Sequence, residues 1–423
     1  MAAAEVPGPG GGPRVGVVLG AGGVLGAAWM VGALAAVQER LGFAVGEAEL
    51  VVGTSAGSVL AAALRCGVGV EAMVAHQRGA LAGGVLDLGP PDLGGRPLPP
   101  PPLLRVGSPR LMLAALRAPH RMHPWVAASA LLPQGRASHV ALHSMVHAMV
   151  SHAWPPLPPY GGLNGASHGV RHGGDHPEPV DVHGAAGLLG AVGAARAWAT
   201  RARMTAAAGP AGPAAAAGMA AAAGLSGAGM PIGAVPVAGD GDTRAEWARD
   251  GRTWIVAVDY DSGQRVVFGR PGAPVAALPD AVVASCSIPG WFRPAVIDGR
   301  RYVDGGLRSA TSAALLAEEE LDEAYVLAPM ASLAFDRPWM PHERLERQLR
   351  RLITVSLLRE VDRLRSAGTK VTVLTPGPED LAAIGANLMD PRRRLGVLET
   401  SLRTSAAALA AGAEVTPGHT HAA

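Results

Sequence analysis

The 423-residue sequence is poor in three residue types that define common protein classes. Its only cysteines are Cys66 and Cys286, so a disulfide framework and a Cys-x-x-Cys metal site are excluded, and a reducing, cytoplasmic compartment is expected. Lys370 is the only lysine, and the 36 basic and 34 acidic residues nearly balance, which leaves no bulk charge for binding nucleic acid. Aromatic residues make up 4%, so the core has to consist mainly of Ala, Val and Leu.

Long hydrophobic runs are also scarce. Residues 1–13 are rich in Ala, Gly and Pro, carry Glu5 and lack the apolar segment of a secretory signal. The longest apolar-looking stretch, 206–239, is interrupted by four prolines, which would break a membrane-spanning helix. We therefore expect a soluble protein, with contact at a membrane surface left open.

Short buried strands alternate with helices in two parts of the chain, 14–88 and 250–412. This alternation favours an α/β fold with a mostly parallel sheet. The predicted strands are Arg14–Leu19, Leu50–Val52, Thr253–Asp259, Arg301–Val303, Ala324–Leu327 and Val371–Leu374. The predicted helices are one that ends at Leu41, Val59–Arg65, Ala276–Ser285, Thr311–Glu319, Glu343–Ser366 and Arg393–Ala410.

The zone between these parts, about 89–250, has a different composition. It contains proline runs, an Ala/Gly tract and ten of the 14 histidines. Short helices are predicted at Leu111–Arg117 and Val140–Ala153, whereas 155–184 and 206–242 are expected to be the least ordered. The zone is interpreted as a low-complexity insertion or lid within one domain.

The first candidate functional motif is a glycine-rich turn between a predicted strand and helix. Gly20, Gly22, Gly23 and Gly26 allow the backbone to curl tightly and to direct several N–H groups at one point beside a helix N-terminus. Such a turn binds an anion, either a pyrophosphate or a transient oxyanion. The spacing departs from the dinucleotide pattern G-x-G-x-x-G because Leu25 occupies the position of the third glycine.

The second motif, Gly53-Thr-Ser-Ala-Gly57, also lies between a strand and a helix. This is the context of a nucleophile elbow, a strained turn that lifts the hydroxyl of Ser55 out of the sheet. The third motif, Asp304 followed by Gly305 and Gly306, ends a short strand and could point a carboxylate into a cleft. An ordinary Asp-Gly turn is an alternative interpretation of the third motif.

In this order, the three motifs resemble the patatin-like phospholipase family, which has a glycine-rich oxyanion loop, a G-x-S-x-G elbow and a downstream Asp-Gly-Gly or Asp-Gly-Ala. The segment 284–294, Ala-Ser-Cys-Ser-Ile-Pro-Gly-Trp-Phe-Arg-Pro, also resembles the run that precedes the acid in that family. The resemblance covers roughly 14–88 and 250–330. It implies a three-layer α/β/α sandwich, a catalytic domain over 14–330 interrupted at 89–250, a helical extension over 331–412, and disordered tails over 1–13 and 413–423.

The resemblance also implies a serine acyl hydrolase for lipid or other ester substrates, with no metal or cofactor. Ser55 would be the nucleophile and Asp304 the general base, without a catalytic histidine. The N–H groups of Gly22 and Gly23 would form the oxyanion hole. One departure is Leu25, which stands where the family usually has Arg or Lys.

Three other interpretations stay open on the sequence alone. A Ser–His–Asp hydrolase would need a histidine after the acid, and only His342, His419 and His421 follow Asp304. The glycine-rich loop could instead bind a nucleotide, or the chain could be a catalytically inactive regulatory relative. The oligomeric state is not predicted.

Two further patterns can be explained either by a function or by ordinary packing. His139, His143 and His147 have the spacing of metal ligands on one helical face, but a solvated or packed helix is favoured because no Cys or Glu completes a metal motif. The Arg-rich helix Glu343–Ser366 has an apolar stripe, which suits either packing on the sheet or contact with an anionic bilayer. Packing on the sheet is favoured.

Overall fold

The computed structural model describes residues 12–79, 103–118, 120, 122–153, 243–248, 250–334 and 338–412. Nearly all of the predicted terminal tails lies outside the described residues, and so do the segments 155–184 and 206–242 that the sequence predicts to be least ordered. In chain order, the strands of the described part are β1 (Val15–Leu19), β2 (Leu50–Thr54), β3 (Leu103–Val106), β4 (Pro133–Gln134), β5 (Thr253–Asp259), β6 (Arg265–Phe268), β7 (Ala295–Ile297), β8 (Arg300–Asp304), β9 (Glu323–Leu327) and β10 (Lys370–Leu374). The α-helices are α1 (Gly23–Leu41), α2 (Ala56–Arg65), α3 (Val70–Gln77), α4 (Pro109–Arg117), α5 (Pro124–Ser129), α6 (Val140–Ala153), α7 (Leu278–Cys286), α8 (Pro341–Ser366), α9 (Pro378–Ile384) and α10 (Arg394–Ala410).

One mixed sheet organises the molecule. Its strand order is β10-β9-β1-β2-β5-β8-β7, and β6 also pairs with β5. The strands from β10 to β5 are parallel to one another, whereas β6, β7 and β8 pair in the antiparallel sense. The carboxyl ends of the parallel strands meet at one edge, which is where α/β sheets place their sites.

Helices cover both faces of this sheet, as the side chains of β1 show. Val17 and Leu19 point into an apolar cluster that includes α1, α2, α7 and α10. Val18 points to the opposite face, into a second cluster that includes α8. Strands buried on both faces consist of continuous apolar runs, and β1 reads Val-Gly-Val-Val-Leu. The predicted α/β fold with a mostly parallel central sheet is confirmed.

Most predicted elements appear within a few residues of their expected bounds, and β5 matches exactly the predicted range. The segment predicted as the helix Thr311–Glu319 forms a shorter 3₁₀ helix, Ala313–Glu318. It begins after Ser312, whose backbone is left-handed with φ of 57°, so no regular helix continues through that residue. Seven short elements were not predicted: α3, α5, α9, β3, β4, β6 and β7.

Part of the predicted insertion packs into the main body. Helix α6 coincides with the predicted helix and buries Met145, Val146 and Met149 in the cluster that contains α2 and α7. Helices α4 and α5 bury Leu111 and Val126 in a smaller cluster with the end of β5. Residues 103–153 are therefore connected to the sheet by buried apolar contacts.

Helix α8 is attached to the sheet through its second half. Leu357, Val361 and Leu364 are fully or almost fully buried, as the favoured packed interpretation expects, whereas Leu349 and Leu352 near its start are exposed. Helix α1 is apolar and long enough to cross a membrane by length and composition, but two thirds of its 18-residue apolar window is buried inside the protein. Burial of this kind is typical of a core helix.

A buried carboxylate on α8 fixes the loop that follows β8. Glu360 accepts hydrogen bonds from the Ser309 hydroxyl (2.6 Å), the Thr311 hydroxyl (2.8 Å) and the Ala313 N–H (2.7 Å). Ala310, in the middle of this loop, accepts the Ala21 N–H of the glycine-rich turn at 2.7 Å. Glu360 thus ties α8 to the loop on which the turn rests.

Glu360→Ala should destabilise the protein because three buried donors lose their acceptor. We expect the free energy of unfolding to fall by about 2–4 kcal/mol, measured by urea denaturation. The control is Asp362→Ala, two residues away on the exposed side of α8, which should change it by less than about 0.5 kcal/mol. Equal effects from the two substitutions would contradict the role assigned to Glu360.

Candidate active site

Ser55 sits at the turn between β2 and α2, in a backbone conformation that L-residues rarely adopt. Its φ is 53° and its ψ is −119°. Strained conformations of this kind persist only where the surrounding structure enforces them, and they cluster at functional sites. The predicted elbow geometry at Ser55 is therefore present in the structure.

Glycines on either side make this turn sterically feasible. A Cβ atom at Gly53 would lie 2.6 Å from the Gly57 carbonyl oxygen, so the chain crosses itself with no room for a side chain. A Cβ atom at Gly57 would collide with the carbonyl oxygen of Leu19, the last residue of β1. The elbow is consequently held against the end of the neighbouring strand.

Two serines that sequence reasoning did not single out hold the elbow by hydrogen bonds. The Ser55 N–H donates to the Ser285 hydroxyl oxygen at 2.8 Å, and the Ser285 hydroxyl donates to the Val256 carbonyl at 2.7 Å. The Ser58 hydroxyl donates to the Ser55 carbonyl at 2.6 Å. Ser285 lies in segment 284–294, which resembles the residues that precede the acid in patatin-like phospholipases. No spacing rule indicates which residue of this segment contacts the elbow.

The acid reaches Ser55 because β2 and β8 end beside each other on β5. Thr54, the last residue of β2, pairs with Val256, and Asp304, the last residue of β8, pairs with Ala257. A Cβ atom at Gly305 would lie 3.2 Å from the Thr54 side chain. Two strands that are far apart in sequence thus deliver the serine and the carboxylate to one point.

The Asp304 carboxyl group is buried, and burial raises its pKa to about 6. Hydrogen bonds from the Ser55 side chain and from the Gly306 N–H, which donates at 2.7 Å, oppose this rise because they favour the carboxylate. Cys286 lies beside the same groups, and burial together with the nearby Asp304 raises the pKa of its thiol to about 12. The site therefore contains one carboxyl group that can change ionisation near neutral pH and a thiol that stays protonated.

The glycine-rich turn is anchored at both ends. The Gly20 N–H donates to the Leu327 carbonyl at 3.0 Å, and the Leu25 N–H donates to the Leu388 carbonyl at 2.8 Å. Between these anchors, the N–H groups of Gly22 and Gly23 have no acceptor within the described part of the chain. Unpaired donors at the start of α1 are suited to hold an anion.

The turn also lies beside the acid. A Cβ atom built on Gly306 would approach the Ala21 side chain to 3.2 Å. The structure therefore brings the three predicted motifs together. The elbow glycines lie against β1 and α2. Gly305 contacts the elbow, and Gly306 contacts the glycine-rich turn that precedes α1.

Leu25 does not provide charge at this turn. It is fully buried in the core, on the face of the sheet that α1 covers. Gly22 and Gly26 pack against Pro329, with a Cβ atom at Gly22 lying 2.6 Å from the proline ring. An anion at this turn would therefore be held by backbone N–H groups.

The histidines of the predicted cluster point to different partners. The His139 ring stacks on Phe292 with ring centroids 3.8 Å apart, and burial lowers its pKa to about 3. His143 Nε2 lies 3.3 Å from a carboxylate oxygen of Asp280, and its ring stacks on His147 at 6.4 Å. Within the described residues, no group of three or more His, Cys, Asp or Glu side chains is placed to bind a metal. Of the histidines that follow Asp304, His419 and His421 lie outside the described residues.

The close approach at Gly57 makes a specific prediction. Gly57→Ala should abolish the native elbow or lower the free energy of unfolding by more than about 3 kcal/mol, because its methyl group meets backbone and not a flexible side chain. Gly396→Ala in α10 is the matched control, since nothing lies within 4 Å of its Cβ position. This control should be neutral or slightly stabilising in a thermal or urea unfolding experiment. A mild effect at Gly57 would contradict the close packing described for this turn.

The raised pKa of Asp304 predicts that the acid destabilises the fold at neutral pH. A carboxyl group whose pKa rises from 3.8 to about 6 on folding imposes no penalty below pH 4, a growing penalty between pH 4 and 6, and the full penalty above pH 6. Asp304→Asn removes the buried charge and should stabilise the protein by roughly 2–3 kcal/mol at pH 8.

This gain should disappear at pH 4, where both side chains are neutral. Urea denaturation at the two pH values measures it, with Asp362→Asn, an exposed acid, as the control. A pH-independent effect of Asp304→Asn would show that the carboxyl group is not held in the environment described here.

A comparison with protein families agrees with this geometry. The model of the family described as patatin-like phospholipase matches residues 248–317, which include β5, the segment 284–294, β8 and the Asp304-Gly-Gly motif. The match does not extend to the glycine-rich turn or to Ser55. In the fold, both lie beside the matched Asp304 motif. The family match confirms that this chain resembles the patatin-like phospholipases.

Proposed function

We propose that the chain is a serine acyl hydrolase that cleaves lipid or other carboxylic esters through a dyad of Ser55 and Asp304. Similarity to a phospholipase family suggests hydrolysis of lipid esters in general. The observation that supports the dyad is the position of the strained, buried Ser55 beside a buried carboxyl group with a pKa of about 6, which the Ser55 side chain helps to lower. The two unpaired cysteines fit a reducing, cytoplasmic location, which we include in the proposal.

The proposed reaction begins with attack on the ester. The Ser55 hydroxyl oxygen bonds to the carbonyl carbon of the ester while its proton passes to Asp304. The carbonyl oxygen becomes an oxyanion, and the unpaired N–H groups of Gly22 and Gly23 are the donors that we assign to it. A preorganised donor of this kind contributes about 3–4 kcal/mol to the transition state.

The second half releases both products. Asp304 returns the proton to the departing alcohol, which leaves the acyl group on Ser55. A water molecule then attacks the acyl-enzyme, Asp304 accepts a proton from that water, and the proton returns to Ser55 when the carboxylic acid leaves. In each half of the reaction, Asp304 first accepts a proton as the base and then returns it as the acid.

The ionisation of Asp304 suits this cycle. A general base works best when its pKa lies near the operating pH, and a pKa of about 6 keeps the group largely ionised at pH 7 while leaving it basic enough to accept the serine proton. Burial is the main cause of that pKa, so shielding of Asp304 from bulk solvent is part of the proposed mechanism, and the attacking water reaches it only after the alcohol has left.

The competing interpretations predict different measurements. A nucleotide-binding protein would copurify with material absorbing at 260 nm, and an inactive relative would bind esters without turnover. A Ser–His–Asp hydrolase would lose activity when one of the three histidines that follow Asp304, His342, His419 or His421, is replaced. We expect none of these outcomes, and His342→Ala should retain activity.

Removal of either member of the dyad should abolish turnover of a short p-nitrophenyl ester. We expect Ser55→Ala and Asp304→Asn each to lower kcat by at least about a thousandfold, and the double variant to be little worse than either, because residues that act as a unit are non-additive. Ser366→Ala and Asp362→Asn, both exposed on α8, are the matched controls and should keep wild-type rates.

Retention of a tenth of wild-type activity by Asp304→Asn would contradict the dyad. Additive losses would also contradict it, because they would mean that the two residues act independently. A chelator should leave the rate unchanged, since no metal takes part in the proposed reaction.

A further inference from the structure

The segment 106–132 presents several large apolar side chains to solvent. Leu116 in α4 is 74% exposed, Trp125 in α5 is 54% exposed, and Leu131, which follows α5, is 67% exposed. Exposed apolar clusters of this kind mark interaction sites more often than single exposed residues do. We call this cluster the 106–132 face, and its members are Val106, Met112, Leu113, Leu116, Trp125, Leu131 and Leu132.

Backbone hydrogen bonds hold the parts of this face together. The Gly107 N–H donates to the Leu132 carbonyl at 2.9 Å, and the Ser108 N–H donates to the Ala130 carbonyl at 3.4 Å. These bonds fix the start of α4 beside the turn that follows α5. The two helices that carry the exposed side chains are therefore neighbours in the fold.

The inner side of the same segment is anchored next to the candidate active site. Leu111 and Val126 pack with Val303, the residue before Asp304, and Leu307 packs against this cluster. The Tyr260 hydroxyl donates to the Ser129 carbonyl at 3.0 Å. The 106–132 face is thus the outer side of a layer whose inner side touches both neighbours of the acid motif.

The permanently charged side chains of segment 103–153 are all positive. Between Leu103 and Ala153 the sequence has no Asp or Glu, and its arginines are Arg105, Arg110, Arg117, Arg121 and Arg136. Arg110 and Arg117 lie at the two ends of α4 and are exposed. The charged group opposite Arg110 is Asp261, at 3.6 Å, and Asp261 is also paired with Arg301. A surface that combines apolar side chains, a tryptophan and arginines complements an anionic lipid surface.

We propose that the 106–132 face docks the protein on an anionic lipid bilayer, with Leu116, Trp125 and Leu131 entering the interfacial layer and Arg110 and Arg117 meeting lipid phosphates. The proposal rests on the proposed function only where it concerns lipid turnover, because binding to vesicles is measured separately.

Co-sedimentation of the full chain with vesicles tests the binding. We expect at least about tenfold stronger binding to phosphatidylcholine vesicles that contain phosphatidylglycerol than to pure phosphatidylcholine vesicles, and weaker binding at high salt. Leu116→Ser with Trp125→Ala should lower binding by about tenfold or more. Arg110→Gln with Arg117→Gln should remove most of the preference for the anionic vesicles.

The matched control is a second exposed apolar pair, Trp339→Ala with Leu352→Ser. Trp339 is 86% exposed, and Leu352 lies on the exposed side of the Arg-rich helix α8. This pair should change vesicle binding by less than about twofold. Loss of binding in this pair with retention in the 106–132 variants would overturn the proposal and assign the membrane contact to α8.

Other outcomes also overturn it. Equal binding to both vesicle types, or none, excludes an anionic bilayer as the occupant. A change of molar mass in the Leu116→Ser, Trp125→Ala variant by light scattering would instead identify the face as an interface between copies of the chain.

Activity measurements separate this proposal from the proposed function. All variants should hydrolyse a soluble p-nitrophenyl ester at the wild-type rate, whereas the 106–132 variants should lose turnover of esters presented in anionic vesicles. Vesicle binding without hydrolysis of any ester by the wild type would contradict the function and leave the docking surface supported. Hydrolysis of vesicle esters at equal rates by the wild type and the 106–132 variants would contradict the docking surface alone.

Discussion

Burial of the Asp304 carboxyl group against Ser55 is the interaction on which the site depends. Burial raises the pKa of the acid to about 6, and hydrogen bonds from Ser55 and Gly306 keep the ionised form accessible. The group is therefore neither a strong acid nor permanently protonated, which is the condition for moving a proton in both directions. The fold bears an energetic penalty for this, because an ionised group held away from water favours unfolding.

The sheet produces this contact through close backbone packing. Strands β2 and β8 end on adjacent residues of β5, and Gly57 and Gly305 permit the approach because any side chain there would collide with backbone. The same packing extends outward through the loop that Glu360 holds and through Ser285, which carries no charge and still fixes the N–H of Ser55. Residues without a chemical role therefore set the geometry of the ones that we propose to react.

The sequence predicted the sheet, its helices and the three motifs because each has a local signature: apolar runs, helical periodicity and glycines at turns. It did not predict Ser285 or Glu360, whose partners are 230 and about 50 residues away and leave no spacing pattern. It also indicated an insertion over 89–250. Proline-rich and histidine-rich composition did not show which few apolar residues of 103–153 would pack against α7 and β5. The roles of Ser55, Asp304 and the loop N–H groups remain proposals that the geometry supports.

The most direct test of the central claim is the pH dependence of covalent labelling. A fluorophosphonate probe should attach to Ser55, located by peptide mass spectrometry, at a rate that rises with pH and reaches half its maximum near pH 6, where Asp304 becomes ionised. In Asp304→Asn this rise should be absent and the rate low at every pH. Labelling of a different residue, or a labelling rate at Ser55 that is the same in both proteins across pH 4–8, would contradict the account.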